Sequence, residues 1–328
     1  MKRWIVAVLA AGLSFALAPA ADAAKVVRIT LQLPITHHLG QNLAAFKEEV
    51  ERETKGEIKI EIYPSAQLYK DSEVPQAVSS GGVEMGVASL AQFAGTIPAV
   101  NIFEVPFSFP TWDLVTKATA PGSPIRGPLD EAILKTGARV LWWQAYGGTI
   151  LLSKGKPIVT PADMKDKKVR VFGKTLGEFV KSVGGAPASV SGSEQFLAYQ
   201  RGTVDAGMTG VTAVDARKLY QVMDYLTVTN HADIEFIVLI NEKAWQGLTE
   251  DQRAVMTKAA RRVETELRNE MGQIEAKSFD AVRDKIKIID LTPEQVKEWQ
   301  KATASVIDTF IGTSGPLGKQ LVEAAKKL

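Results

Sequence analysis

The amino-acid sequence predicts an α/β protein built as two domains. Strand-like alternation and helix-like periodicity take turns along the first half of the chain, and the same succession then starts again. Near residue 250 an amphipathic helix begins that is too long for one small domain to need.

The first residues read as a leader rather than as part of the fold. Lys2 and Arg3 precede an uncharged apolar run from Ile5 to Leu17, Pro19 breaks it, and Ala21-Asp22-Ala23 supplies small residues three apart. This is the layout of a secretory signal occupying residues 1–23, with the mature chain starting at Ala24. A membrane anchor is the competing reading, and the run falls short of the ~20 apolar residues a span requires. Without a cysteine after it, no lipid can be attached there.

Within the mature chain, Ile29, Leu31 and Leu33 alternate on a first strand. A helix over 40–53 follows, with Leu43, Phe46 and Val50 on one face and Gly56 beyond its end. Ile58, Ile60 and Ile62 alternate with Lys59 and Glu61 on a second strand. A short helix over 71–79 stops at Gly81-Gly82, and residues 83–88 form a third strand. The second set comprises strands at 139–145, 149–153, 168–172, 204–208 and 234–240, with helices over 176–183 and 193–201 between them. Thr249-Glu250-Asp251-Gln252 is a capping box. From it Val255, Ala259, Val263, Leu267, Met271 and Ile274 run at steps of three and four, so a helix to about residue 283 would be about 50 Å long. A coiled-coil segment would need a stricter heptad, so a helix bridging two domains fits better. A strand at 286–289 precedes a helix opened by Thr292-Pro293-Glu294-Gln295, and the chain reads as helical to Lys327.

Composition narrows the function classes. The 328 residues carry 39 basic and 37 acidic side chains, a formal net charge of +2 with the signs interspersed, which offers nothing to nucleic acid or to a membrane surface. Cleavage leaves about 305 residues, enough for two domains with adequate cores. There is no cysteine, which rules out thiol catalysis and thiolate metal sites, and the three histidines have no metal-ligand spacing. No metal and no cofactor are expected. Gly173-Lys174-Thr175 imitates the end of a phosphate loop, but Lys168 stands where its first glycine should be.

A few residues suit a ligand site. Arg170 lies at the end of the apolar strand 168–172, and clefts of open α/β sheets lie beyond the C-terminal ends of strands. A guanidinium there can grip a carboxylate through two parallel hydrogen bonds, or can serve in a structural ion pair. One of Trp142 and Trp143 would face the packing partner of its sheet and the other, with Trp142 the candidate, a cleft on the opposite face. His37, Tyr69, Gln92 and Phe172 sit at presumed strand or loop ends, where a cleft position competes with a core or surface one.

Four stretches in order resemble the DctP-type substrate-binding proteins of TRAP transporters over essentially the whole mature chain. Lys55-Gly56-Glu57-Ile58-Lys59-Ile60-Glu61-Ile62-Tyr63-Pro64 with Gln67-Leu68 is similar to that family's G-x-I-x-V-x-V-F-P-x-x-Q-L. Val105-Pro106-Phe107-Ser108-Phe109 resembles L-P-F-L-F. Lys156-Pro157-Ile158, Pro161 to Lys165 and Lys168-Val169-Arg170-Val171 resemble R-P-I, P-E-D-L-K and K-I-R-V. Gly184 to Pro187 and Ser193 to Ala206 resemble G-A-x-P and S-E-V-Y-x-A-L-Q-x-G-x-V-D-G. The ordered set is specific, whereas no single piece is.

The resemblance implies a two-domain periplasmic binding protein fold with discontinuous domains, mixed sheets and a long domain-spanning helix. Its expected division is residues 24–148 plus 235–274 for the first domain and 149–234 plus 275–328 for the second. It implies a soluble periplasmic protein, not membrane-inserted, that delivers a small organic acid to a permease of small and large membrane subunits. Arg170 matches the family's carboxylate-binding arginine. Two positions depart from the pattern. Thr149 stands where many members carry a second arginine, and Thr209 where an asparagine is usual. With Phe236 in a neighbouring pocket segment, these changes imply a less polar site and a single carboxylate, such as a monocarboxylate, 2-oxo or aromatic acid. The alternative is a periplasmic lyase or isomerase using His37 with Glu73 or Glu194 as its acid–base pair.

Overall fold

The computed structural model describes residues 24–328, so the signal segment 1–23 lies outside the described residues. Two mixed sheets organise the chain. The strands are β1 (Lys25–Thr30), β2 (Ile58–Tyr63), β3 (Met85–Ser89), β4 (Ala138–Gly148), β5 (Ile150–Ser153), β6 (Lys168–Val171), β7 (Ala186–Ser189), β8 (Ala206–Thr209), β9 (Tyr225–Val228), β10 (Asp233–Asn241) and β11 (Lys287–Asp290). The first sheet runs in the order β2-β1-β3-β10-β4 and the second in the order β11-β9-β5-β8-β6-β7. β1 is parallel to β2 and β3, whereas β10 is antiparallel to both β3 and β4. β6 is parallel to both β7 and β8, while β5 is antiparallel to β8 and β9.

The chain therefore crosses between the sheets three times: from β4 through Thr149 into β5, from β9 into β10, and from the long helix into β11. Trp142 and Trp143, adjacent on β4, enter different cores on opposite faces of the first sheet, as strand alternation requires. β10 is buried along its whole length because both faces are covered.

Among the helices are α1 (His38–Glu53), α2 (Val74–Ser80), α3 (Trp112–Thr119), α4 (Arg126–Leu134), α5 (Lys174–Ser182), α6 (Gln195–Gln200), α7 (Val211–Ala216), α8 (Glu242–Gln246), α9 (Glu250–Val282), α10 (Pro293–Ala302) and α11 (Val306–Ala325). α9 opens with both hydrogen bonds of the Thr249/Gln252 capping box and runs for 33 residues. Met256, Ala259, Val263, Leu267 and Met271 join the core under Trp142, whereas Val282 at its far end packs with Leu226 of the second sheet. One helix thus belongs to both halves. Among the described residues, no helix is long and apolar enough to cross a membrane.

The expected division needs correcting at the C-terminus. Phe310, Leu321 and Val322 of α11 pack with Phe103, Trp143 and Ile237 of the first sheet's core, so this helix returns to the first domain. Its apolar stripe fits either half, and it packs against the 3-10 segment Pro98–Glu104. α11 is broken at Gly315 (φ 60°), just before Pro316.

Candidate functional site

β6 carries Arg170 into the space between the sheets. The guanidinium is fixed by two carbonyl oxygens: Nε donates to Val190 O at 2.9 Å and Nη1 to Met208 O at 2.5 Å. Its charge lies 5.4 Å above the Phe172 ring. Gly207, paired with Arg170 across β6 and β8, makes room, because a Cβ there would lie 2.0 Å from the Tyr199 hydroxyl and 2.9 Å from the Arg170 Cβ. Arg170 is only 4% exposed, and burial lowers its pKa. Among the described residues the other two buried arginines, Arg126 and Arg268, pair with Glu264 and Glu235, whereas the hydrogen bonds of Arg170 go to neutral carbonyls.

Around Arg170 lies a small cavity of about 20 Å³. Phe172, Ile234, Phe236 and Tyr146 form its apolar walls, and Thr209, Ser89, Gln32, Asp71 and Arg217 supply polar atoms. Arg217 leaves α7's C-terminal end and reaches across the cleft, donating to Gln32 Oε1 at 3.0 Å and to Gln195 Oε1 at 3.4 Å. Asp71 accepts the Ser89 N–H at 3.0 Å. Burial pushes its carboxyl up to about 6, against the pull of that N–H, Arg217 and Arg170. A larger groove borders α5 and α11, but its cations, Lys174 and Lys181, point into solvent. The buried charge is in the small cavity.

Several contacts hold the halves together over it. Lys70 pairs with Glu194 at 2.8 Å, and the Gln92 amide donates to Phe172 O at 3.2 Å. Glu104, from the first domain, sits at the N-terminus of α5, with Oε2 accepting from Leu176 N at 3.4 Å and Oε1 lacking a partner. Burial pushes its carboxyl up to about 8, opposed by the N–H groups of Leu176 and Thr175.

The sequence-derived candidates divide. Arg170, Phe172, Thr209 and Phe236 line the cavity together. Gln92 borders the outer groove and bridges the halves instead. Trp142 is corrected to a core residue, its indole N–H bonded to Asn42 Oδ1 at 2.9 Å. Tyr69 packs against the core under Trp143. Thr149 is buried in the β4–β5 crossover, where its N–H donates to Ala232 O. His37 caps α1, its Nδ1 accepting from Leu39 N at 3.2 Å, and its ring stacks on Tyr146 at 5.4 Å, behind the cavity wall. Burial holds His37 well below the usual histidine range. Glu73 and Glu194 are both exposed and engaged with Lys70, so neither forms an acid–base pair with His37. The premise that the site has one arginine is also overturned, because Arg217 faces the same cavity. Nothing in the sequence marked it: it ends an ordinary short helix, and only the domain arrangement turns it inward. Asp71 had a faint signal, two residues beyond the Gln67-Leu68-Tyr69 stretch.

The sequence model of the DctP family, described as bacterial extracellular solute-binding protein, family 7, matches residues 31–313. The chain belongs to this family. It is 28% identical to the C4-dicarboxylate-binding periplasmic protein DctP of Rhodobacter capsulatus over 88% of this chain and 86% of that protein. It is 24% identical to the 2,3-diketo-L-gulonate-binding periplasmic protein YiaO of Escherichia coli K12, over 88% of each. Among solved structures, a TRAP periplasmic solute-binding protein of Sulfurospirillum deleyianum with bound succinate superposes with a TM-score of 0.86 at 26% identity, covering 93% of this chain and 99% of that one. DctP7 of Bordetella pertussis, which binds pyroglutamic acid, gives 0.87 at 22% identity, covering 92% and 100%. The two-sheet architecture is thus that of the DctP-family binding proteins, and these relatives are described as binding proteins or receptors rather than enzymes.

Proposed function

We propose that this DctP-family protein is the periplasmic solute-binding component of a TRAP-type transporter. It captures a small organic acid on Arg170, closes over it, and delivers it to a permease of a small and a large membrane subunit. The observation that carries the reading is a buried guanidinium hydrogen-bonded to neutral carbonyls, in ion-pair contact with no carboxylate among the described residues. Burying an unpaired charge costs several kcal/mol, and a carboxylate ligand offsets that cost. The ligand is a monocarboxylate, 2-oxo and aromatic acids included. The walls of Phe172, Ile234, Phe236 and Tyr146 suit a carbon skeleton better than a second bare charge.

Calorimetry after a thermal-shift screen of organic acids tests this. Arg170→Ala should weaken the best acid by roughly 10- to 100-fold, the worth of a charge-assisted hydrogen bond. Arg170→Lys should recover only part, since an ammonium cannot form the two-pronged contact. Undiminished binding by Arg170→Ala overturns the anchor. An acid returned chemically altered after incubation overturns the binding-protein reading.

A further inference from the structure

We infer that Arg217 and Asp71 set the ligand class. Together with Arg170 they make a site of net charge +1 that takes a monocarboxylate bearing a neutral hydrogen-bond donor, a hydroxyl or an amide N–H. The inference rests on the proposed organic-acid binding and deepens it.

The charge count comes first. Arg170, Arg217 and Asp71 line one cavity, and among the described residues neither arginine forms an ion pair with a protein carboxylate. Two guanidinium groups and one carboxylate leave a single uncompensated positive charge. One ligand carboxylate neutralises it. A dicarboxylate brings a second negative charge next to Asp71, and a zwitterionic amino acid leaves the positive charge unbalanced, each a costly state in a buried site.

The donor requirement comes from Asp71. An ionised carboxylate only accepts, and its Oδ1 already takes the Ser89 N–H. Gln92 also lies within reach of the carboxyl, and the two arginines face it. Beside it the buried Ser89 hydroxyl lines the same cavity without a partner. A ligand hydroxyl or N–H directed here would find a charged acceptor, and a hydroxyl could also accept from Ser89. A plain hydrocarbon acid leaves the Ser89 hydroxyl unsatisfied.

Arg217 is placed by design of its surroundings. Gly192 lies under its guanidinium, and a Cβ there would approach both Nη atoms to 2.9 Å and Gln32 Oε1 to 2.4 Å. The bridge to Gln32 crosses from the second domain to the first, so Arg217 reaches the cavity in this arrangement only when the halves meet. It supplies the second cation that position 149 does not.

Four-carbon acids of one skeleton separate the terms: butanoate, 2-hydroxybutanoate, 2-aminobutanoate and succinate, titrated by calorimetry at neutral pH. The wild-type protein should bind 2-hydroxybutanoate about tenfold or more tighter than butanoate, and tighter than either succinate or 2-aminobutanoate. Asp71→Asn keeps the oxygen that accepts from Ser89 but removes the charge. It should raise succinate affinity relative to 2-hydroxybutanoate by about tenfold or more. Arg217→Gln should weaken every monocarboxylate by a similar factor, and Arg217→Lys should restore part of the loss. If Arg217→Lys is as weak as Arg217→Gln, the residue acts through the Gln32 bridge and its anchor role is overturned. If Arg170→Ala abolishes binding while Asp71→Asn leaves all ratios unchanged, the charge count fails and the proposed function stands. If none of these acids, nor any member of a wider acid library, binds the wild-type protein, both fail.

Discussion

Glu104 ends the 3-10 segment Pro98–Glu104 of the first domain and places its carboxyl against Gly173 and the first N–H groups of α5, in the second. It is 3% exposed. Desolvation favours its neutral form, which is why its carboxyl is pushed up to about 8 from an ordinary value of 4.5. Because the folded state keeps a proton that the unfolded chain sheds, the stabilisation is complete below about pH 4.5. It is lost as pH rises to about 8. Glu104→Gln, uncharged at every pH, should therefore be more stable than wild type near pH 8, by on the order of 4 kcal/mol, and should come within about 1 kcal/mol of it near pH 5. Urea unfolding of both proteins at the two pH values measures this, and equal pH dependence would refute it. At the same scale, Arg170 was legible in the sequence because it ends an apolar strand inside a recognisable stretch. Arg217 was not, since its inward direction depends on Gly192 and Gln32, which are far from it along the chain.

Among the elements, α5 begins where Glu104 ends its own segment, and Gly173 is the N-cap that lets them meet. A Cβ at this position would lie 1.8 Å from Glu104 Oε1, and the carboxyl is held on its other side by Leu176 N. Gly173→Ala should thus weaken ligand binding by roughly tenfold or more through overpacking of the closed interface, while Gly173→Ala combined with Glu104→Ala should regain affinity. Calorimetry on the single and double variants decides it, and additive losses would argue against a clash. The long helix α9 was the element most legible in sequence, because its capping box and its apolar steps are local signals. The destination of α11 was not legible. Its stripe of Phe310, Leu321 and Val322 fits any apolar surface, and the surface that takes it is assembled from residues some two hundred positions earlier, around Phe103 and Trp143.

The whole molecule is two sheets joined by three crossings, with α9 packed on both, so closing the cleft must move α9's contacts or bend it. Saturating the protein with a bound acid should reduce its radius of gyration in small-angle scattering, and an unchanged curve with a proven ligand would mean the halves are already fixed as they stand. Buried histidines shape the acid side of stability: burial lowers His38 to about 4 and His231 to about 3, with His37 also well below its ordinary 6.5. Their neutral rings contribute fully above about pH 6.5, and that contribution is lost as pH falls below it, because the unfolded chain takes up protons first. What the sequence by itself determined was what is written locally: the strands and helices with clear periodicity, the bridging helix with its cap, the lack of any thiol, and Arg170 at a strand end. What only the tertiary structure decided was the composition of the cavity. Gln32, Asp71, Ser89, Arg170 and Arg217 come from separate stretches of chain and carry no periodicity linking them. The charge of such a site is a sum over residues brought together by packing, and no window of sequence contains that sum.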